Sequence, residues 1–304
     1  MTSSTKTLTL KMAVGPHAHL AALKDGTIQP DGIKLEQVEV TPITMAFRRM
    51  CRTMDYDITE MAICTYLAAK DLGKPFTAIP VYPVAHSQHG GIYYNVNSGI
   101  KNPKDLEGKK VGARAWTLTP AVWQRGILQT EYGVDLSKLS HVLVDEEHIL
   151  EYHDVTPKNC ERRVGADLKE LLLSGEIAAV TGGRFDDPNI KQLIPNAEEA
   201  AAEWTHRTGI DPLDHFLVVK DSLLEEHPWI GPALYRACKE AKAAWQANGG
   251  GGAHGHDHDP MPIGMSKKIL HSLDPLLDFS YDQRVTSHRF SYEDTFAKNT
   301  LDLD

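Results

Sequence analysis

The stretch Asp55–Leu67, DYDITEMAICTYL, decides the fold that we expect for this chain. Its first part, Tyr56–Thr59, is rich in β-forming residues and predicts a short strand. The apolar residues from Ile63 to about Leu72 predict a helix directly after it. One carboxylate, Glu60, stands at the junction. Such a carboxylate is either a group that caps the helix or a buried acid kept for chemistry, and this stretch alone leaves both interpretations open.

The same alternation of strand and helix continues on both sides of this stretch. Upstream, Leu8–Val14 predicts a first strand, and apolar residues at helical spacing between Thr41 and Tyr56 predict an amphipathic helix. Downstream, Phe76–Tyr82 and His215–Val219 predict further strands. Strands that alternate with helices indicate an α/β fold with mainly parallel sheets.

The middle of the chain forms a strand–helix series of its own. We therefore expect two lobes, one built from residues 1–98 plus 212–304 and the other from residues 99–211. In folds of this kind, the ligand binds in a cleft where strand ends of both lobes meet.

Composition excludes several classes of function. The formal net charge of −9 argues against nucleic-acid binding, because that function calls for clustered Lys and Arg. No apolar run approaches the length of a membrane span, and Lys6 and Lys11 interrupt what would be the apolar core of a signal peptide. The four cysteines are far apart and form no redox or metal pair. These features predict a soluble, cytoplasmic protein.

Polar side chains collect at the predicted strand ends. A single histidine at such a place is more often structural than functional, but the clustering favours a function for the group. Thr119, followed by proline, predicts a helix start whose backbone N–H groups could hold a carboxylate or phosphate, and Arg125 lies further along that helix. The strand-end residues are His17, His19, Glu60, His86, His89, Arg184 and His215.

Several long segments resemble one family of enzymes. They include FRRMCRTMDYDITEMAICTYL, PKDLEGKKVGARAWTLTPAVWQRGILQTEYGV, RTGIDPLDHFLVV and PIGMSKKILHSLDPLLDFSYDQRVTSHRFSYEDTF. In this order, and over nearly the whole chain, they resemble the 4,5-dihydroxyphthalate decarboxylase family, which is related to type II periplasmic solute-binding proteins.

The resemblance implies a two-lobed, periplasmic-binding-protein-like fold that acts as a non-oxidative decarboxylase of a hydroxylated aromatic, phthalate-type or related cyclic carboxylic acid. It also implies a homo-oligomer without nucleic-acid or membrane partners. The positions that match the family's functional residues are Glu60, His89, Thr119, Arg125, Arg184, His215 and His19.

Decarboxylation of a hydroxylated aromatic acid requires a group that holds carboxylates, a proton donor and a group that polarises a ring hydroxyl. Arg184, Arg125 or the helix start at Thr119 could hold the carboxylates, and Trp116 could stack on the ring. The candidate proton donors are His89, His215 and His19, because imidazole titrates near neutral pH. Glu60 could deprotonate a phenol, orient a histidine or bind a metal.

A divalent metal is a further hypothesis for the same residues. His19, Glu60, His89 and His215 could together bind an ion that chelates adjacent hydroxyls, although no closely spaced ligand motif supports this. The string HGHDHD at 254–259 looks like a metal site, but its glycine-rich context favours a solvated linker.

Two other functions remain open at this point. The same fold could serve as a cytosolic solute-binding or sensor protein for an aromatic acid, without chemistry. A third hypothesis is a pyrimidine-biosynthesis enzyme of the related thiamin-precursor type. The sequence shows no cysteine-rich or other signature of such an enzyme. Release of CO2 separates the decarboxylase from the binding protein.

Overall fold

A computed structural model describes residues 7–250 and 259–304. Most of the HGHDHD string lies outside these ranges. Within them, no helix is both long enough and apolar enough to span a bilayer. The strands are β1 Leu8–Ala13, β2 Ile33–Gln37, β3 Ile58–Ala62, β4 Phe76–Ile79, β5 Ile92–Asn95, β6 Lys110–Ala113, β7 Ser140–Leu143, β8 Cys160–Arg162, β9 Ala179–Thr181, β10 Ile190–Gln192 and β11 His215–Lys220. The helices are α1 Ala21–Lys24, α2 Thr44–Thr53, α3 Ile63–Asp71, α4 Thr119–Thr130, α5 Leu168–Leu173, α6 Ala197–Thr208, α7 Asp221–Glu226, α8 Ile230–Ala247, α9 Lys267–Asp282 and α10 Tyr292–Thr295.

The chain divides into two compact units. Unit 1 comprises the described residues of Met1–His86, Leu213–Leu270 and Phe290–Asp304, and unit 2 comprises Ser87–Pro212 and His271–Arg289. The expected boundary near residue 99 differs from this division, because β5 pairs with β9 and β10 of unit 2.

Unit 1 contains a five-stranded sheet with the order β2-β1-β3-β11-β4. β1 pairs in parallel with β2 and β3, whereas β11 lies antiparallel between β3 and β4. Residues from these strands and from α8 form one apolar core. Because β11 runs against its neighbours, its first residue lies at the edge where β1 and β3 end, and His215 pairs with Ala62.

Unit 2 contains a six-stranded sheet with the order β10-β5-β9-β6-β7-β8. β9, β6, β7 and β8 are parallel, and β5 is antiparallel to both of its neighbours. The fold is therefore α/β, as predicted, but both sheets are mixed rather than mainly parallel. The antiparallel strands return from distant parts of the chain, and their own sequences carry no mark of direction.

The elements around the opening stretch follow from residue pattern. In α2, Phe47, Met50 and Cys51 are buried at helical spacing, as the periodicity predicts. Helix α3 is buried all round from Ile63 to Ala69, in keeping with its mostly apolar sequence. The predicted strand end was wrong by three residues, since β3 continues to Ala62. Glu60 is therefore inside a central strand and caps no helix.

Candidate active site

Glu60 is a fully buried carboxylate that accepts three hydrogen bonds in unit 1. Its Oε1 accepts from Nδ1 of His215 at 2.5 Å. Its Oε2 accepts from Nε2 of His17 at 2.9 Å and from the backbone N–H of Gly15 at 2.7 Å. One carboxylate thus holds two imidazole rings, whose side chains are 19% and 18% exposed for His17 and His215 respectively.

The sheet topology brings these residues together. β1 and β3 are parallel, so the loop after β1 reaches the edge at which β3 ends, and antiparallel β11 begins there. The chain must also pass very close to the carboxylate at Gly15. A Cβ atom there would lie 2.7 Å from Nε2 of His17 and 3.1 Å from Oε2 of Glu60. Only glycine leaves this room without displacing the His17 ring.

The contacts keep Glu60 ionised. Burial alone would raise the pKa of its carboxyl group, because water no longer solvates the charge. The hydrogen bonds from His17 and His215, together with the electrostatic attraction of these rings, outweigh burial and hold the pKa of Glu60 well below its ordinary value. A carboxyl group that stays ionised at neutral pH cannot donate a proton to substrate. It can orient two imidazoles and stabilise either of them as imidazolium.

His19 lies beside this group but makes different contacts. Its ring stacks on that of His17, with centroids 5.2 Å apart, and its Nε2 donates to the carbonyl of Pro83 at 3.0 Å. Burial, the largest cause, and the neighbouring His17 lower its pKa to about 4. His19 is therefore neutral at pH 7, which argues for a packing role in the histidine cluster over that of a proton donor.

The remaining histidine among the predicted catalytic residues, His89, lies in unit 2. It is 1% exposed, and its ring packs edge-on against Trp204 with centroids 5.4 Å apart. Burial lowers its pKa, so the ring is neutral at pH 7.

Two of the residues predicted to bind substrate interlock in unit 2. The guanidinium of Arg125 lies 3.8 Å from the centre of the Trp116 ring, and its Nη2 donates to the Trp116 carbonyl at 2.9 Å. Its Nε donates to Oε1 of Gln283 at 2.7 Å. Arg125 and Trp116 are both buried, at 1% and 4% exposure, and line a cavity of about 470 Å³ with His141. The contacts of Arg125 and Trp116 with each other and with Gln283 are those of a packed core.

The other two predicted substrate contacts, Thr119 and Arg184, both lie in unit 2. Thr119 is the first residue of α4, while Leu118 takes the N-cap position that the sequence assigned to Thr119. Arg184 follows β9 and is exposed. The turn before it packs on the start of α4, since a Cβ at Gly182 would lie 2.5 Å from the Leu118 side chain. The turn after β9 therefore meets the start of α4 two residues before Arg184.

Sequence reasoning missed His17 as a partner of Glu60. It placed His17 and His19 in the loop after β1 but proposed a catalytic role only for His19. The signal that could have separated them is Gly15, since a glycine two residues before a histidine allows the backbone and the ring to reach one carboxylate together.

The metal hypothesis finds no support in the residues present. Across residues 7–250 and 259–304, no group of three or more His, Cys, Asp or Glu side chains is arranged to hold an ion. Both oxygens of Glu60 accept hydrogen bonds from imidazole nitrogens, and Nε2 of His19 faces a carbonyl. These contacts do not favour a metal on Glu60 and His19, and the shared metal site stays a prediction.

Comparison with known proteins identifies the family. No protein-family model matches the chain. A 4,5-dihydroxyphthalate decarboxylase of Comamonas testosteroni is 35% identical over 249 residues, which cover 78% of this chain and 75% of that protein. A second protein of that name, from Pseudomonas putida, is 31% identical over 212 residues, which cover 65% of this chain and 81% of the Pseudomonas putida protein. The chain belongs to the 4,5-dihydroxyphthalate decarboxylase family.

The fold of this family member is that of a periplasmic binding protein. The solved structure of the periplasmic aliphatic sulphonate binding protein SsuA from Escherichia coli matches it with a TM-score of 0.54, covering 97% of this chain and 94% of that chain. Because the sequence identity is only 12%, this match shows similarity of fold and nothing about function. The expected fold class is confirmed, and the 4,5-dihydroxyphthalate decarboxylase family places the chain among the carboxy-lyases.

Proposed function

We propose that this chain is a non-oxidative decarboxylase of a hydroxylated aromatic dicarboxylate of the phthalate type, with 4,5-dihydroxyphthalate as its first candidate substrate. Family membership supports the reaction class. The observation that carries the chemistry is the buried, ionised Glu60 that holds His17 and His215. Carboxylate-oriented imidazoles are the usual means of moving protons at neutral pH.

In the proposed reaction, a proton replaces a carboxylate on the ring. The bond between the ring carbon and the carboxylate carbon breaks, its electron pair stays with the ring, and CO2 leaves. The ring carbon takes one proton, so the reaction consumes one proton in each turnover. No oxidant or reductant is required.

His215 is the proposed donor of this proton. Glu60 engages its Nδ1, so Nε2 is the nitrogen that can transfer a proton. The nearby carboxylate stabilises the imidazolium before transfer, and water reprotonates the partly exposed ring afterwards. His17 is the second imidazole on Glu60, and the neutral His19 stacks against it. Glu60 itself is a positioning residue, since its low pKa prevents it from acting as the acid.

Arg184 stays the predicted carboxylate-binding residue. Arg184 is exposed, whereas two donors of Arg125 are engaged by Gln283 and by the carbonyl of Trp116. The guanidinium of an exposed arginine can bind a carboxylate through two parallel hydrogen bonds. Roles for His89, Arg125, Trp116 and Thr119 in substrate contact, homo-oligomerisation and a cytoplasmic location stay predictions.

The test is CO2 release by the purified protein from 4,5-dihydroxyphthalate and a panel of phthalates that lack one or both hydroxyls, with and without a chelator. Release from the dihydroxy acid, and none from unsubstituted phthalate, is the expected result. Tight binding without release would contradict the proposal and favour a binding or sensor protein. Release that stops with chelator and returns with a divalent metal would show that the mechanism above lacks an essential ion.

A further inference from the structure

Phe47, on α2, packs against the imidazole that we propose as the proton donor. The ring centroids of Phe47 and His215 are 5.1 Å apart, and the two ring planes are nearly perpendicular, at 85°. Aromatic rings attract each other in this edge-to-face arrangement at centroid distances of about 4.5–7 Å. Phe47 is 1% exposed, so its ring is held by the close packing of a protein interior.

The position of Phe47 follows from the stretch of chain that also carries Glu60. Helix α2 and strand β3 are consecutive elements of unit 1 and contact each other. Glu60 lies inside β3 and accepts a hydrogen bond from Nδ1 of His215, while α2 brings Phe47 to the ring of the same histidine. The His215 ring therefore has two buried neighbours, a carboxylate on one nitrogen and an aromatic ring perpendicular to its plane.

Rotamer preference alone does not fix the plane of the His215 ring. Rotation about the bond between Cβ and the ring of a histidine has broad, roughly twofold preferences, so contacts with neighbouring groups must select one orientation. Glu60 sets the direction of Nδ1, and the perpendicular Phe47 ring limits how far the imidazole can tilt. Together the two contacts determine where Nε2 of His215 points.

The second imidazole on Glu60 has a different neighbour. His17 stacks face to face on His19, with an angle of 7° between the ring planes. His19 in turn meets the ring of Trp245 edge-on, with centroids 5.8 Å apart. The ring packed on the proposed donor is that of Phe47, so a change at Phe47 addresses the donor directly.

We infer that Phe47 is a positioning residue for the decarboxylation, because it keeps the His215 ring in the plane from which Nε2 passes its proton to the substrate. Phe47 acts through His215 and neither takes nor gives a proton. The rate depends steeply on this geometry, since a misplacement of about 1 Å can cost about 10²-fold. The inference rests on the proposed decarboxylase function.

Core packing of α2 is a simpler role for a buried phenylalanine, and a matched control separates it from positioning. The experiment compares the full-length wild type with Phe47→Leu and Phe76→Leu. Phe76, on β4 of the same sheet, is 0% exposed, and its ring packs on that of Tyr66. Both variants lose a buried ring and should unfold at lower urea concentration than the wild type.

Only Phe47→Leu should also lower kcat for 4,5-dihydroxyphthalate, by about 10- to 100-fold with little change in KM. Phe76→Leu should keep kcat within about twofold of the wild type. Phe47→Met, which likewise lacks the ring, should behave as Phe47→Leu does and replaces it if Phe47→Leu folds poorly.

Proton NMR supplies a measurement that does not depend on turnover. The Nδ1–H proton of His215 is hydrogen-bonded to Glu60, so it should exchange slowly with solvent in the wild type and in Phe76→Leu. It should exchange faster in Phe47→Leu, whose imidazole can swing away from the carboxylate. The resonance is assigned by its absence in His215→Gln.

Two outcomes would overturn the inference. One is a Phe47→Leu enzyme whose kcat stays within about twofold of the Phe76→Leu control. The other is an Nδ1–H exchange rate that is the same in these two variants. If the wild type itself released no CO2, the proposed function would fail, but the exchange rates would still decide whether Phe47 holds the ring. The two failures are therefore distinguishable.

Discussion

The Glu60→Gln substitution keeps the volume of the side chain, removes its charge and turns one acceptor oxygen into a donor NH2 group. Glu60 accepts three hydrogen bonds, one on Oε1 and two on Oε2. Whichever way the amide points, its NH2 group faces at least one donor. Hydrogen bonds to charged groups contribute about 1.5–3 kcal/mol each, so the free energy of unfolding should fall by about that amount. Both imidazoles lose their ionised partner, so kcat should fall about 10²- to 10⁴-fold.

Steady-state CO2 release and urea unfolding would measure both effects. The matched control is Asp57→Asn, which lies just before the same strand. Its carboxylate accepts from the backbone N–H of Lys11 and from Nζ of Lys220, at 2.9 and 3.0 Å, and touches no histidine in the contacts described. Asp57→Asn should retain kcat. A Glu60→Gln enzyme that keeps wild-type kcat would refute the role assigned to Glu60, whatever happened to its stability.

The remaining predictions concern the neighbouring residues and the ion. Gly15→Ala should push the His17 ring off Glu60, because the new Cβ would lie 2.7 Å from Nε2 of His17. Overpacking should lower the free energy of unfolding by about 1–3 kcal/mol, and kcat should fall. Unchanged kinetics would contradict the close approach. The pKa of His19 is about 4 in the folded protein and 6.5 ordinarily. The unfolded chain therefore binds this proton more readily, and the free energy of unfolding falls as the pH drops from 6.5 to about 4. His19→Gln, which can still donate to Pro83, should flatten that slope in pH-dependent thermal unfolding, and an unaltered slope would count against it. Arg184→Gln should raise KM about 10- to 150-fold, the equivalent of one charge-assisted contact, and an unchanged KM would exclude Arg184 as the carboxylate-binding residue. Treatment with chelator should leave activity intact, and its loss would show that an ion is needed.

The sequence predicted the elements around the site well, and their assembly less well. The periodicity of Phe47, Met50 and Cys51 and the continuous apolar run of α3 are local signals that burial confirms. The position of Glu60 within β3 was missed because a strand that runs straight into a buried helix leaves no turn residues to mark its end.

The partners of Glu60 depend on pairings that are distant in the sequence. His215 reaches Glu60 only because β11 inserts antiparallel between β3 and β4, and strand direction has no local signature. Periodicity likewise could not show that Arg125, a charged residue, packs on Trp116 inside unit 2. Strand-end position identified most residues of the histidine cluster, but it could not tell His17, which contacts the carboxylate, from His19, which faces a carbonyl.

The most direct test of the account is the reaction of the wild-type protein with 4,5-dihydroxyphthalate in D2O, followed by NMR of the product. The account predicts 3,4-dihydroxybenzoate with one deuterium at the carbon that lost its carboxylate, formed in step with CO2. It also predicts that Glu60→Gln forms this product far more slowly. Recovery of unchanged, tightly bound 4,5-dihydroxyphthalate from the wild type would contradict the account.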